Sequence, residues 1–356
     1  MNASIPTFPI FVLGGSGYVA GELLRLIAGH PRFALTAVLS DSRPGEPVAS
    51  AFPHLASAYA DTTFSSLEDV ERHVVQSLEC AIISAAPHGA SASLIDALLN
   101  KAASAGTRAR VVDISADFRH RSADVFHSIY HHAHAAPSRL AEFTCALPEH
   151  LAVLKTAHVA HPGCFATAVL LAGVPLIALG LTSPRLFVTG ITGSTGSGRA
   201  PTDGTHHPLR HSDLYAYSAL SHRHTPEIAA CVRTICGVEA EIAFVPHSGP
   251  FARGIHVTVQ AELARPHDSA EVVAALRSFY AAAPFVRVLD AAPRMKDVVA
   301  SNYAHLSAVA NGRTVAVLCV IDNLAKGAAG GALQWMNRMF DLPETTGLTA
   351  PTPGWT

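Results

Sequence analysis

The chain has 356 residues, enough for two domains, and 49% of them are hydrophobic while only 15% carry a charge. A formal net charge of −2 excludes the basic surface that a nucleic-acid-binding protein needs. The six scattered cysteines, the lack of a signal-peptide pattern and the lack of a membrane-length apolar run favour a cytoplasmic protein without a membrane partner.

The first part of the chain alternates predicted strands with predicted helices. Short apolar runs predict buried strands at 9–14, 34–40, 80–86 and 109–115. Apolar residues at helical spacing predict helices at 18–28 and 91–105. This alternation is typical of a doubly wound parallel sheet, and the fold class is therefore α/β with a Rossmann-like first domain.

The pattern changes in the second part of the chain. We predict strands at 185–192, 239–246 and 254–263, with a loop rich in glycine, serine and histidine at 193–222. The segments 305–310 and 314–321 flank Asn311-Gly312 and predict a hairpin. Residues 322–340 predict a loop followed by a long helix. The second domain is accordingly α+β with an antiparallel or mixed sheet. We predict a cofactor domain at 1–163, completed by 325–356, and a catalytic and oligomerisation domain at 164–324.

A glycine-rich turn lies between the first predicted strand and helix. It contains Gly14, Gly15, Ser16, Gly17 and Tyr18, and its spacing is G-x-x-G-x-x-A. Glycines in this context let a pyrophosphate approach the backbone, and a helix N-terminus supplies N–H donors. A tight structural turn is the alternative interpretation.

The end of the second predicted strand bears on cofactor choice. Asp41 favours the ribose hydroxyl of NAD, whereas Ser42 and Arg43 favour the extra phosphate of NADP. We expect NADP because a guanidinium group suits phosphate. The alternative is that Arg43 is only a solvated loop charge.

Cys164 is the strongest nucleophile candidate. It follows Pro162 and Gly163 and precedes an apolar helical run. Unpaired N–H groups and the positive end of the helix dipole favour the thiolate form of a cysteine at a helix start. A buried, inert cysteine is the alternative.

His224 is the candidate proton carrier, because it lies just before a helix that we expect to begin near Thr225-Pro226. Arg119, Arg199 and Arg253 lie in polar or glycine-rich turns and could bind carboxylate or phosphate. Each histidine could instead be structural, and each arginine could form a surface ion pair.

Taken together, these motifs resemble the N-acetyl-γ-glutamyl-phosphate reductases of arginine biosynthesis, relatives of aspartate-semialdehyde dehydrogenase with the plan of glyceraldehyde-3-phosphate dehydrogenase. The motifs that carry the resemblance span nearly the whole chain and lie at 14–26, 87–89, 113–119, 161–167, 196–199, 222–228, 244–254 and 322–334. Ala20 departs from the family, which often has a third glycine there.

The resemblance implies NADPH-dependent reduction of an acyl phosphate to a semialdehyde through a Cys164 thioester, with His224 as acid and base and with a homotetramer or dimer as the assembly. It implies substrate binding by Arg119, Ser197, Arg199, His222 and Arg253. It also implies further cofactor contacts by His88, Gly89, Asn323 and Lys326.

Three alternatives stay open. The substrate could be aspartyl or aminoadipyl phosphate, and the residues that would decide this cannot be located from one sequence. A non-catalytic NADP-binding regulator would keep the fold but lose the chemistry, and the presence of Cys164 and His224 argues against it. A metallohydrolase built on the histidines near 206–224 lacks a zinc-binding spacing such as H-E-x-x-H, and we expect no metal.

Overall fold

The structure is a computed structural model that describes residues 6–354. Residues 1–5 and 355–356, which belong to the predicted ranges 1–163 and 325–356, lie outside the described residues. The chain forms two compact units. The first contains the residues up to Cys145, Val153–His161 and Ala329–Thr349; the second contains Ala146–Ala152, Pro162–Ala328 and the residues from Ala350 onward. Relative to the predicted domains, Ala146–Ala152, residues 162–163, residues 325–328 and the residues from Ala350 onward fall in the second unit.

The first unit contains a six-stranded parallel sheet. Its elements up to residue 160 are β1 Phe8–Leu13, α1 Tyr18–Ala28, β2 Phe33–Val38, α2 Val48–Ala51, α3 Leu67–Val75, β3 Glu79–Ser84, α4 Ser91–Ala105, β4 Arg108–Asp113, α5 Ala123–Tyr130, β5 Phe143–Cys145 and β6 His158–Ala160. The strand order is β2-β1-β3-β4-β6-β5, and every neighbouring pair is parallel. The predicted doubly wound parallel sheet is confirmed.

The second unit contains a seven-stranded mixed sheet. Its elements are α6 Cys164–Ala178, β7 Arg185–Thr192, α7 His207–Arg210, β8 Tyr215–Ala216, α8 Thr225–Cys236, β9 Glu241–Ser248, β10 Ile255–Glu262, α9 Ser269–Phe279, β11 Val286–Val288, β12 Ala304–Asn311 and β13 Thr314–Ile321. The strand order is β11-β12-β13-β10-β7-β9-β8. The predicted hairpin is confirmed, since Asn311 pairs with Thr314 across a turn formed by Gly312 and Arg313.

One strand pairing differs from the prediction. We expected β9 to be an antiparallel strand, but it runs parallel to β7 from Arg185↔Glu241 to Thr192↔Ser248. The intervening chain contains α8, which packs against β9 and α6. A helical connection allows two strands to run in the same direction, which a tight hairpin cannot do.

The helices of the second unit cover its sheet. Helix α6 packs on β10, β13 and β7, and α9 packs on β12 and β11. Helix α6 is buried along nearly its whole length, as its all-apolar sequence indicates. In β7 the side chains alternate between buried and exposed, and Phe187 on the exposed side is 48% accessible.

The last helix of the described residues belongs to the first unit. A π-helical turn at Ala325–Ala329 precedes α10, Gly330–Met339, and α10 packs on β3 and β4. Just beyond it, the Phe340 ring lies 5.3 Å from the Phe33 ring. Among residues 6–354, no helix combines the length and hydropathy that a membrane crossing requires.

Candidate active site

Cys164 is the first residue of α6. Gly163, in extended conformation, occupies the cap position, and no side chain caps this end of the helix. The cysteine forms no disulfide bond and is half-buried. Because the first amides of a helix lack intrahelical partners, this end can donate hydrogen bonds to negative charge. The structure confirms the prediction that Cys164 lies at the start of a helix.

A buried carboxylate connects the starts of two helices. Glu227 lies in the first turn of α8 and is fully buried. The backbone N–H of Gly163 donates a hydrogen bond of 2.6 Å to its Oε1 atom. Hydrogen bonds to an ionised acceptor are stronger than neutral ones. Glu227 therefore fixes the Gly163 turn, and with it Cys164, relative to the helix that follows His224.

His222 and His224 are neighbours on the same turn. Their ring centroids are 4.7 Å apart, and the His224 amide donates a 3.2 Å hydrogen bond to His222 Nδ1. Burial, helped by the positive charge of Arg223, lowers the pKa of His222 to about 4. The His222 ring is therefore neutral at pH 7 and acts as an acceptor that shapes the turn. His224 is the cap residue of α8, which begins at Thr225.

One cavity of about 510 Å³ joins these groups, and we call it the Cys164 cavity. Four of the predicted site residues line it, namely Cys164, Ser197, His222 and His224. The exposed side chain of Arg223 lines it as well. Burial and the charge of Cys164 raise the pKa of Tyr217, another lining residue, so this phenol stays protonated.

Gly327 lies directly against Cys164. A Cβ atom added to Gly327 would lie 2.9 Å from Cys164 Cβ and 3.1 Å from Cys164 Cα. The glycine belongs to the π-helical turn, and its N–H donates to the carbonyl of Asp322 at 2.9 Å. Single π-helical turns are rare and occur frequently at functional sites. This turn therefore forms part of the wall that fixes the position of Cys164.

Lys326, in the same turn, is fully buried. Its Nζ atom contacts Glu149 Oε1 at 2.5 Å, and Glu149 is also inaccessible to solvent. The predicted cofactor contact of Lys326 stays a prediction, and the ion pair is the partner that the structure gives it. Asn323 accepts a 2.8 Å hydrogen bond from the Gly254 amide and donates to Thr195 at 3.0 Å. Its predicted cofactor contact stays a prediction.

The glycine-rich turn of the first unit has the shape of a phosphate cradle. Gly14 has φ +75°, and a Cβ there would lie 2.5 Å from the backbone of Ala86, so only glycine fits. Gly17 caps α1 without a side-chain hydrogen bond, and a Cβ on it would meet nothing closer than 4.0 Å. The surroundings of Gly17 are therefore open where a pyrophosphate would approach the helix start.

The other predicted cofactor residues of this unit follow β2 and β3, the two neighbours of β1. Ser42 lies 3.4 Å from Ser40 through their hydroxyl oxygens, and Arg43 forms an exposed ion pair with Glu46 at 3.2 Å. His88 is exposed and its Nδ1 accepts a hydrogen bond from the Ala116 amide. All these segments lie at the carboxyl edge of the parallel sheet, where such folds bind ligands.

The Gly89 turn is held by a buried carboxylate. Gly89 has φ +88°, and its amide donates a 2.8 Å hydrogen bond to Asp117. Asp117 also accepts the Ala92 amide at the start of α4. This arrangement fixes the backbone between β3 and α4 next to the glycine-rich turn.

Comparison with known proteins identifies the family. A family model described as semialdehyde dehydrogenase, NAD binding domain, matches residues 9–157, and one described as semialdehyde dehydrogenase, dimerisation domain, matches residues 164–323. An N-acetyl-γ-glutamyl-phosphate reductase of Nitrosococcus oceani is 38% identical over 95% of this chain and 96% of its own, and one of Rhodospirillum rubrum is 36% identical over 95% and 96%. The chain belongs to the N-acetyl-γ-glutamyl-phosphate reductase family. It is therefore an oxidoreductase.

Solved structures support the fold of this reductase family member. Aspartate semialdehyde dehydrogenase II from Vibrio cholerae has a TM-score of 0.69 at 15% identity, covering 94% of this chain and 99% of that one. The aspartate semialdehyde dehydrogenase from Candida albicans, solved with NADP, has a TM-score of 0.61 at 15% identity, covering 94% and 98%. These similarities establish the two-domain dehydrogenase fold.

Two of the predicted substrate arginines have other partners in this reductase family member. The guanidinium of Arg119 is buried and donates to the carbonyls of Ile114 and His161, and its predicted substrate contact stays a prediction. Arg253 forms a two-pronged ion pair with Asp322 at 2.9 and 3.0 Å. Neither lines the Cys164 cavity, and neither does the exposed Arg199.

Several lining residues were missed by the sequence reasoning. Arg223 lies inside the HRHTPEI motif, so its position between the two histidines was a signal that could have found it. Ser221 directly precedes that motif, and the polar lining residues that no motif marked are Thr192, Tyr215, Tyr217, Ser218 and Ser248. Within residues 6–354, no group of three or more His, Cys, Asp or Glu side chains is arranged to hold a metal ion.

Proposed function

We propose that the protein reduces N-acetyl-γ-glutamyl phosphate to N-acetyl-glutamate semialdehyde and phosphate, with NADPH as the reductant, in arginine biosynthesis. The observation that carries this proposal is the uncapped helix start at Cys164, which shares one cavity with His222 and His224. The 36–38% identity to reductases of that name over nearly the whole chain supports the choice of substrate.

The first chemical step belongs to Cys164 and His224. His224 takes the thiol proton, and the Cys164 thiolate attacks the acyl carbon of the substrate. The bond between this carbon and the phosphate oxygen breaks, which leaves a thioester on Sγ. His224 returns its proton to the departing phosphate. The backbone N–H groups at the start of α6 are suited to stabilise the oxyanion that forms during the attack.

His224 is the better proton carrier of the two histidines. His222 has a pKa of about 4, and its Nδ1 already accepts the His224 amide. A base with so low a pKa is almost fully deprotonated at pH 7 and cannot supply a proton efficiently. We therefore assign the proton transfers to His224 and the shape of the turn to His222.

The substrate carries a phosphate and a carboxylate, so its cavity needs cationic and hydroxyl donors. Arg223 supplies the cation in the Cys164 cavity, and Ser197 supplies a hydroxyl. We assign substrate binding to these two residues. Arg199 and Arg253 stay candidates for the substrate carboxylate from the family resemblance alone.

The residues of the first unit fit a dinucleotide. The turn at Gly14, Gly15, Ser16 and Gly17 and the start of α1 at Tyr18 would hold the pyrophosphate, and Ser42 and Arg43 would hold the 2′-phosphate. Bound NADPH would supply the hydride that brings the thioester carbon to the aldehyde level. When the resulting alkoxide collapses, the carbon–sulfur bond breaks and the Cys164 thiolate is released.

We further propose that the protein forms a homotetramer or dimer in the cytoplasm. The family model that covers residues 164–323 is described as a dimerisation domain. Phe187, half accessible on the exposed side of β7, is an apolar side chain available for such contacts. Six free cysteines are compatible with a reducing compartment.

The test is a spectrophotometric assay of NADP⁺ reduction with N-acetyl-glutamate semialdehyde and inorganic phosphate, repeated with NAD⁺. Aspartate semialdehyde and aminoadipate semialdehyde serve as substrate controls. We expect turnover with the acetylated glutamate compound, preferentially with NADP⁺, and no turnover by the Cys164→Ser variant, which should still bind NADP⁺. Turnover of only another semialdehyde, or equal turnover by the variant, would overturn the assignment.

A further inference from the structure

A second cavity of the second unit is lined by cationic and hydroxyl groups. It measures about 230 Å³, and we call it the Arg210 cavity. Its polar side chains are Ser194, Thr205, His207, Arg210 and His211. No aspartate or glutamate lines it, and it shares no lining residue with the Cys164 cavity.

Among residues 6–354, the buried guanidinium of Arg210 has no counter-ion. The residue is 8% exposed, and its Nη2 atom has no hydrogen-bond partner within the described residues. Its Nη1 reaches only the carbonyl of Asp213, at 3.5 Å, which is the outer limit of a hydrogen bond. The carboxylates of Asp203 and Asp213 are on exposed residues and form no ion pair with it within residues 6–354.

This state of Arg210 contrasts with that of Arg119, which is also buried, and with that of the partly buried Arg253. Arg119 donates to two backbone carbonyls, and Arg253 forms an ion pair with Asp322. A buried charge without a partner is costly, and proteins normally pair it. A cavity next to such a charge is therefore suited to a ligand that provides the negative charge.

Two histidines add donors to the same cavity. His207 and His211 lie one turn apart, and their rings stack with centroids 5.2 Å apart. Imidazole N–H groups, hydroxyl groups and a guanidinium together satisfy the several oxygens of a phosphate or carboxylate. The absence of acidic lining residues disfavours a cation in the Arg210 cavity.

We propose that the Arg210 cavity is a binding site for a small oxyanion of the phosphate or carboxylate class. The turn at Ser194–Ser197 contributes Ser194 to this cavity and Gly196 and Ser197 to the Cys164 cavity. An anion bound at Arg210 therefore contacts the same turn that borders the substrate. The proposal does not depend on the proposed reductase activity.

The test is calorimetric titration of the full-length protein with inorganic phosphate, and in a second arm with glutarate. Arg223 in the Cys164 cavity also attracts anions, so the parent protein for this comparison carries Arg223→Gln. The double variant carries Arg210→Gln in addition. Arg265→Gln, at an exposed arginine that lines neither cavity, controls for the loss of one positive charge. We expect the Arg223→Gln protein to bind phosphate or glutarate, and the double variant to bind it at least tenfold more weakly. The arm that binds identifies the class of anion.

Thermal unfolding provides the second readout. The anion should raise the melting temperature of Arg223→Gln and of Arg223→Gln/Arg265→Gln, but not that of Arg223→Gln/Arg210→Gln. Equal binding with and without Arg210, or no binding of either anion, would overturn the proposal. Loss of the oligomer in Arg210→Gln without any anion binding would also overturn it, since a carboxylate of a second copy would then be the counter-ion. None of these outcomes alters the reductase assay.

Discussion

Replacing Gly327 by alanine tests whether the π-helical turn fixes the position of Cys164. The new Cβ would lie 2.9 Å from Cys164 Cβ, 3.1 Å from Cys164 Cα and 3.3 Å from Ile321 Cδ1. Carbon atoms prefer separations of about 3.5–4.0 Å, so Cys164 or the turn must move by roughly 0.6 Å or more. The glycine is enclosed between the first residue of α6 and the last residue of β13, so both neighbours resist the shift.

The expected result is a large loss of rate with a moderate loss of stability. Overpacking of this kind costs about 1–3 kcal/mol of unfolding free energy. A displacement of about 1 Å in a reacting group can lower a rate by roughly 100-fold. We therefore expect kcat to fall by about 10- to 100-fold, while the dissociation constant of NADP⁺ is nearly unchanged, because the glycine-rich turn lies in the other compact unit.

The assay combines steady-state kinetics, urea unfolding and the rate of Cys164 alkylation by iodoacetamide. Gly29→Ala is the matched control, because a Cβ there meets nothing within 4 Å and its φ is −101°. Wild-type kcat and stability in Gly327→Ala would refute the idea that this turn positions the thiol.

Three further predictions concern the ion pair, pH and the cofactor. Lys326→Met removes the cation that pairs with buried Glu149, and it should lower the unfolding free energy by about 3–5 kcal/mol in urea titrations. The double variant Lys326→Met/Glu149→Leu should recover most of this loss. An equal loss in both variants would contradict the prediction. Burial lowers the pKa of His158 from 6.5 to about 4, so the folded state resists protonation of this ring. The unfolded chain takes up the proton below pH 6.5, and the contribution of His158 to the free energy of unfolding is therefore lost as the pH falls from 6.5 towards 4. In urea unfolding, the free energy of unfolding of His158→Gln should depend less on pH than that of the wild type, by up to about 3 kcal/mol over this range. Parallel curves of unfolding free energy against pH would exclude this role. Arg43→Ser should weaken NADP⁺ binding by about 10- to 100-fold and leave NAD⁺ binding unchanged in fluorescence titrations, and unchanged NADP⁺ affinity would remove Arg43 from the site.

Local patterns predicted most of the secondary structure. The helices Tyr18–Ala28 and Ser91–Ala105 have the predicted bounds, because apolar residues at helical spacing and a glycine after each helix are local signals. The Asn311-Gly312 hairpin formed for the same reason. In contrast, the parallel pairing of β7 with β9 depends on how α8 packs, and spacing along the chain does not encode that.

The candidate site was predictable where its residues lie in short motifs. Cys164, Ser197, His222 and His224 come from three separate motifs, and the structure places them on one cavity. Arg223 was not predicted, although it lies between two predicted histidines, because the sequence does not show whether its side chain faces a cavity or solvent.

The partners of buried charges could not be predicted from the sequence. Lys326 pairs with Glu149, which lies 177 residues away in the chain. Arg119 was predicted as a substrate residue from its polar turn, but the fold surrounds it with backbone carbonyls that accept its hydrogen bonds. Such partners are set by tertiary packing, which brings distant segments together.

The covalent role of Cys164 is tested most directly by mixing enzyme with N-acetyl-γ-glutamyl phosphate in the absence of NADPH. We expect a burst of about one phosphate per active site, together with an increase in the intact protein mass equal to one N-acetylglutamyl group on Cys164. The Cys164→Ser variant should give neither signal. Phosphate release that requires NADPH, or a burst of the same size in the variant, would contradict a thioester on this sulfur.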